Sequence, residues 1–480
     1  MRSSPLELQC EHRRVGKGAP LRAVPTRRRR RGTGPERVGT ARMQRDEIEA
    51  PSRHARLCPP YTAALIGAER ILAAALVVAL TSFTLIGAAS AQDLQSFERV
   101  ERGRYLAVLA DCAACHTAPG GQPYAGGLAL LTPFGKLVAP NITPDRETGI
   151  GDWTDDEFVA AMHDGRGRGG TRLYPAMPYP AYTKMTRDDV LDIRAYLATV
   201  EPVSNSVVVN QLPFPFNIRF SLLFWNWLNF TPGRYQPAAQ KSEEWNHGAY
   251  IVQGAGHCGT CHTPKTLLGG DKTGTPLAGS TLQGWFAPDI TTDPRKGIGG
   301  WSKDDIAQYL KTGANAATLA SGPMADAVSH STSKMTDEDV AAIATYLKDS
   351  GAGGPSPKPA AVGPDDKAMR AGAAIYKDAC AACHRDSGAG ESHLFPKLAG
   401  SALVQSDDPT TLVRVVLQGS RAVATSAAPT GPAMPGFDWR LDDAQAGAVL
   451  TYIRNSWGNA AAPVAASTVA SQRGELARAP

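Results

Sequence analysis

Asp111 to Gly121 reads DCAACHTAPGG: two cysteines three positions apart, with a histidine directly after the second. The same arrangement returns as HCGTCHTPK at His257–Lys265 and as ACAACHRDS at Ala379–Ser387. Whatever chemistry the motif performs, the chain performs it three times. Six of the eight cysteines lie in these motifs, and the other two, Cys10 and Cys58, lie in a segment read below as a leader. No thiol is left over for a structural disulfide.

Three chemistries use a CxxC pair. Structural zinc needs four ligands, usually from two such pairs close together in the chain. Here each pair comes with one histidine, and successive motifs are more than 100 residues apart. A redox dithiol of the thioredoxin type sits beside a βαβ pattern and needs no histidine after it. Covalent haem c accounts for every residue of the motif. Two thiols at this spacing form thioethers with the vinyl groups on one porphyrin edge, and the adjacent histidine is then held under the iron. The predicted attachment residues are Cys112 and Cys115, Cys258 and Cys261, and Cys380 and Cys383, with His116, His262 and His384 as proximal ligands.

Beyond the motifs lies a longer internal repeat. GRYLAVLADCAACHT matches GAYIVQGAGHCGTCHT, APNITPDRETGIGDWTDDEF matches APDITTDPRKGIGGWSKDDI, and KMTRDDVLDIRAYL matches KMTDEDVAAIATYL. A shorter third copy, from about Ala371 to Gly458, lacks the AP-IT segment but keeps a helix before Cys380 and a closing helix ending in VLTYIRNSW. Capping signals make the units helical. Thr154 and Glu157 form a capping box with Trp153 and Phe158 as the staple, Ser302 and Asp305 repeat it, and Thr186 and Thr336 cap later helices behind Met185 and Met335. The expected fold is all-α, three tandem class I cytochrome c-like domains over 92–205, 241–350 and 367–458. Residues 206–240 form an aromatic linker helix, 351–366 a Pro/Gly-rich linker and 459–480 a low-complexity, disordered tail.

The net charge of +5 is unevenly placed. Residues 1–91 hold 16 Lys and Arg against 7 Asp and Glu, and the rest holds 34 against 38. A nucleic-acid role is therefore not expected of the working part. The basic run Arg27–Arg31 belongs to a leader that continues through the apolar run Ile71–Ser90 to ASAQD, a signal-peptide pattern cut after Ala91. A retained membrane helix is the other reading of a run this long. Export places the working part in the periplasm.

A sixth iron ligand decides between carrier and enzyme, because methionine gives an electron-transfer centre and an open face gives a site for substrate. Met162 lies inside the helix opened by Thr154, and Met185 is a staple residue. That leaves Met177, in a Pro-flanked loop 61 residues after His116. Met324 follows His262 by 62 residues, in a loop without the second proline and with His330 as a rival ligand. Met434, in PAMPGF, follows His384 by 50. The aromatic stretch Leu212–Tyr235 adds a further feature: from Asn217 to Phe230 its polar positions 219, 226 and 229 fall on one narrow helical stripe. About 14 residues cannot cross a bilayer but can lie in its surface.

The three units in this order, together with APNITPD, PFPFNIRF, WNHGAYIVQGAGHCGTCHTP and CAACHRDSGAGESHLFPKLAG, resemble the three-haem cytochrome c subunit of bacterial membrane-bound alcohol, gluconate, sorbitol and fructose dehydrogenases. The resemblance covers residues 95 to 458. It implies three covalent haem c groups, a large partner subunit carrying flavin or pyrroloquinoline quinone that oxidises the substrate, and ubiquinone as acceptor. It also implies attachment at the outer face of the cytoplasmic membrane and no substrate-oxidising site in this chain. The competing reading is a multihaem peroxidase with an open middle haem.

Overall fold

A computed structural model describes residues 96–478. The expected signal segment lies outside them, and no described helix is long and apolar enough to cross a membrane. Three units repeat one plan of four helices. The opening helices cover 96–109, Glu243–Gln253 and Lys367–Ala379. Short motif helices follow at Cys112–His116, Gly259–His262 and Ala381–His384. Middle helices run over Asp155–Asp164, Lys303–Thr312 and Thr410–Gln418, and closing helices over Arg187–Leu197, Asp337–Lys348 and Asp443–Asn455.

The caps form as their chemistry dictates. Thr154 Oγ1 accepts from Glu157 N at 3.2 Å while Glu157 Oε2 accepts from Thr154 N at 2.9 Å, and Ser302 with Asp305 does the same. The staple residues Met185 and Met335 are buried. Opening and closing helices cross at glycine in every unit. A Cβ on Gly103 would lie 1.8 Å from the Asp192 carbonyl oxygen, on Gly248 1.9 Å from that of Ala342, and on Gly372 2.2 Å from that of Ala448. Only a residue without a side chain allows backbones this close.

The units are mainly helical but carry ribbons that an all-α expectation omits. Ala129–Thr132 pairs antiparallel with Gly135–Val138, which also takes Asn210–Gln211. Ser280–Leu282 pairs with Trp285–Ala287, and Ser420–Arg421 with Ala433–Met434. These pieces are two to four residues long, too short for alternation to declare them in sequence.

The first two units share one core. Leu106, Met185, Val190 and Ile193 pack in the same cluster as Val252, Met335, Val340 and Ile343. Reciprocal tyrosines lock the pair. Tyr105 Oη accepts from Thr336 N at 3.0 Å and donates to Asp339, and Tyr250 Oη accepts from Thr186 N at 2.9 Å and donates to Asp189. Each hydroxyl thus caps the closing helix of the other unit. Arg102 pairs with Asp189, and at the equivalent place His247 Nε2 lies 2.5 Å from Asp339 Oδ1.

The third unit has its own core of Tyr376, Val413, Val449, Leu450 and Val469. It meets the second through polar contacts. Thr411 Oγ1 accepts from Phe286 N at 2.8 Å, the Arg414 guanidinium stacks 4.5 Å over the Trp285 ring, and Lys296 pairs with Asp407. The 351–366 linker has no regular structure but is pinned at both ends, Ser356 N to Asp293 Oδ2 at 3.0 Å and Val362 N to Asn455 Oδ1 at 3.0 Å.

Two expectations are corrected. The tail is ordered: Ala466–Leu476 is a helix that buries Val469 and rests Leu476 against the third core. These two residues, seven apart, share one helical face. Arg454, itself buried, donates to the carbonyls of Ala462, Val404 and Ser406 at 3.0, 3.1 and 2.9 Å, and Arg473 Nε reaches Asp443 Oδ1 at 2.9 Å. Met324, expected in a loop, lies in the first turn of a helix, Pro323–His330.

Candidate functional site

Each motif ends its short helix on the histidine, so the ring projects from a fixed point one residue after the second thiol. The rings are then oriented in the same way three times. His116 Nδ1 lies 2.7 Å from the Pro140 carbonyl oxygen, His262 Nδ1 2.6 Å from that of Pro288, and His384 Nδ1 3.0 Å from that of Pro396. A carbonyl can only accept, so Nδ1 carries the proton and Nε2 keeps its lone pair for a metal. Burial pulls all three histidines below their ordinary pKa, which favours the neutral, ligating form.

The proline carbonyls are the functional groups that motif reading missed. Pro140 and Pro288 sit in the repeated AP-IT segment, and Pro396 in LFPKLAG. Side chains hold the first of these segments in place: Asn141 Oδ1 accepts from Thr143 N at 2.9 Å, and Asn141 Nδ2 donates to Val203 O at 2.6 Å. In the second unit Asp289 Oδ1 accepts from Thr291 N at 2.6 Å.

None of the six motif cysteines is joined to another in a disulfide. Burial pushes Cys112 and Cys258 up to about 12 and Cys115 and Cys380 to about 11. Among the described residues no three His, Cys, Asp or Glu side chains cluster as a metal cage would. What remains is a pair of thiols and one anchored imidazole per unit, the donor set that fits a covalently attached haem.

The methionines differ in their support. Met177 lies in a tight turn, its N–H on the Tyr174 carbonyl at 3.0 Å and its own carbonyl accepting from Tyr179 at 2.7 Å, and it packs against the shared core. Met434 sits in the ribbon with Ser420 and packs against the third core. Met324 is half-buried near the start of its helix, and His330 is exposed at the other end. The remaining histidines have other partners or places. His163 is buried in the helix Asp155–Asp164, His247 faces Asp339, His257 Nε2 lies 3.3 Å from the Ala110 carbonyl oxygen, and His393 is exposed.

The cytochrome c family model matches residues 100–201, 247–351 and 369–457, one match for each unit. The chain belongs to the cytochrome c family. As a cytochrome c with three such domains it carries three covalently bound haem c groups and works in electron transfer. This cytochrome is 42% identical over 421 residues to the gluconate 2-dehydrogenase cytochrome c subunit of Pantoea cypripedii, covering 83% of this chain and 94% of that one. It is 39% identical to the cytochrome c subunit of alcohol dehydrogenase (quinone) of Gluconobacter oxydans strain 621H, covering 81% and 84%. The fructose dehydrogenase cytochrome subunit of Gluconobacter japonicus is 38% identical, covering 77% and 82%.

One acidic group near the first motif is unusual. Asp111, in left-handed backbone directly before Cys112, has a buried Oδ1 without a hydrogen-bond partner. Burial, helped by the charge of Asp326, raises its pKa to about 7, and Lys334 acts against the rise.

Proposed function

We propose that this cytochrome is the electron-transfer subunit of a dehydrogenase complex. It accepts electrons from a flavin- or pyrroloquinoline quinone-dependent large subunit and delivers them to ubiquinone, in the periplasm, at the outer face of the cytoplasmic membrane. The threefold recurrence of a histidine whose Nδ1 is fixed on a proline carbonyl carries the reading. Haem c supplies one-electron chemistry at iron when bound. Cys112 and Cys115, Cys258 and Cys261, and Cys380 and Cys383 hold the porphyrin edges. His116, His262 and His384 would ligate the iron through Nε2, and Met177, Met324 and Met434 would supply the second ligand. The protein's remaining work is to keep each histidine neutral and oriented.

Attachment to the membrane surface is supported by the linker. Its helix, Ser221–Asn229, is amphipathic in the reverse sense. Asn226 Oδ1 accepts from Tyr179 Oη at 2.6 Å, and Arg219 stacks 4.9 Å over the Tyr174 ring, so the polar stripe faces the protein. Phe220 and Trp227 are 76% and 77% exposed, beside exposed Phe214, Phe224, Leu267 and Leu268. Tryptophan and phenylalanine presented in this way suit the headgroup level of a bilayer.

The peroxidase alternative is not favoured, since the relatives reported above are cytochrome subunits of dehydrogenases. The test is the mature protein's mass and redox behaviour. Three added porphyrins, full reduction by the co-purified large subunit with its substrate, and reoxidation by a ubiquinone analogue are expected. Fewer porphyrins, or rapid turnover of hydrogen peroxide, would overturn the proposal.

A further inference from the structure

The three methionine-bearing segments rest on different supports. Met434 lies in a ribbon of its own unit. Met177 is followed by a single helical turn, Tyr179–Tyr182, whose Tyr182 ring meets His257 edge-on at 5.6 Å. Met324 begins the eight-residue helix Pro323–His330, and this helix packs on the motif helix Cys112–His116 of the first unit.

The contact is built along this helix, a strap between the two units. Ser331, its C-cap residue, donates Oγ to the Leu109 carbonyl at 3.1 Å, a fully buried hydrogen bond between residues 222 apart. Val328, at the middle of this helix, is completely buried beside Gly313 of its own unit, which ties the helix to the second unit as well. Asp326 and Lys334 lie near enough to Asp111, the residue just before Cys112, for their charges to act on it. A helix this short has no stability of its own in water, so tertiary packing fixes where its first turn sits. That first turn carries Met324.

We propose that the attachment helix of the first unit positions the sixth ligand of the second haem: Met324 keeps its iron only while Cys112–His116 is locked in place by its own haem. The proposal rests on Met324 being that ligand. It makes the second haem's coordination conditional on the first haem's attachment: the Pro323–His330 helix rests on Cys112–His116, and Ser331 ties its end to Leu109, the last residue of the opening helix that leads into that motif. The third haem, in a separately cored unit, is independent of both.

The experiment uses the full chain and reads the sulfur-to-iron(III) charge-transfer band per molecule, with haem number from mass. The unaltered protein should show three haems' worth of band; two would overturn the Met324 assignment and the proposal with it. Cys112→Ala with Cys115→Ala should retain two haems but only one haem's worth of band, and adding Met324→Leu should remove nothing more. Two haems' worth retained, or a further loss on adding Met324→Leu, would overturn the positioning role alone. Should that variant not accumulate, Ser331→Ala keeps every cysteine. It should hold three haems, weaken one haem's share of the band and let one reduced haem bind carbon monoxide; an unchanged band without carbon monoxide uptake overturns the proposal.

Discussion

The first two haem units close around a common apolar core, whereas the third keeps a core of its own and meets its neighbour through polar side chains. One plan of opening, motif, middle and closing helices serves all three. The difference lies in what each unit's outer surface became. In the pair, tyrosines on the opening helices reach across to cap the partner's closing helix, so neither unit is complete alone. In the third, the surplus apolar face is covered locally by the tail helix Ala466–Leu476. Joints of this polar kind between folded units are typically looser than shared cores. The chain is therefore read as a fused pair plus a docked single unit.

The comparison breaks most sharply at the glycine crossings. Gly248→Val drives a side chain into the Ala342 carbonyl region, where even a Cβ would sit at 1.9 Å. A cost above about 4 kcal/mol is expected, as for other severe backbone clashes. Haem should be lost from both paired units and kept by the third, as read by peptide mass mapping. Gly372→Val should reverse that pattern. Loss of one haem from the pair without the other would refute the common core.

Truncation after Gly458 tests the third unit. It removes the buried Val464 and Val469 and one carbonyl partner of Arg454. At about 1.5 kcal/mol or more for each buried valine, roughly 3 kcal/mol should vanish from that unit. Calorimetry should show one transition moving down and the pair's transition staying. A shift of both together would mean the three units unfold as one.

Smaller effects sharpen the picture. Tyr105→Phe and Tyr250→Phe each remove two hydrogen bonds at a helix start, worth about 1–2 kcal/mol in all by ordinary hydrogen-bond energies. Urea unfolding of the pair should register both, with no change in the third unit. Arg414→Ala removes the stack on Trp285, about 0.5–1 kcal/mol for a partly exposed cation–π contact. Folding should be unaffected, while protease cutting within 351–366 becomes faster. An unchanged cutting rate would show that Arg414 does not hold the joint.

Much of this was legible from contiguous residues. The motif, the capping box at Thr154 and the staples at Met185 and Met335 are local, and each states its own geometry. The proline carbonyls were not, because a backbone acceptor carries no side-chain signature; only the repeated AP hinted at it. The pairing of Tyr105 with Asp339 joins residues 234 apart, beyond the reach of any window. The segment at Met324 reads as loop from its glycine and proline, yet Pro323 fits the first helical position, a start signal hidden behind Gly322. The tail failed for a similar reason: its Ala and Ser content reads as low complexity, yet Val469 and Leu476 suffice for one buried stripe. For the motif histidines, spacing was enough to name candidates, and the fold added the orientation of their rings.

The reversed linker helix has one more consequence. Asn226 and Arg219 fasten its polar side to the domains, so it cannot roll over to hide Phe224 and Trp227. Stripped of detergent, molecules would meet face to face through these rings, and the purified cytochrome should sediment as small clusters that surfactant disperses.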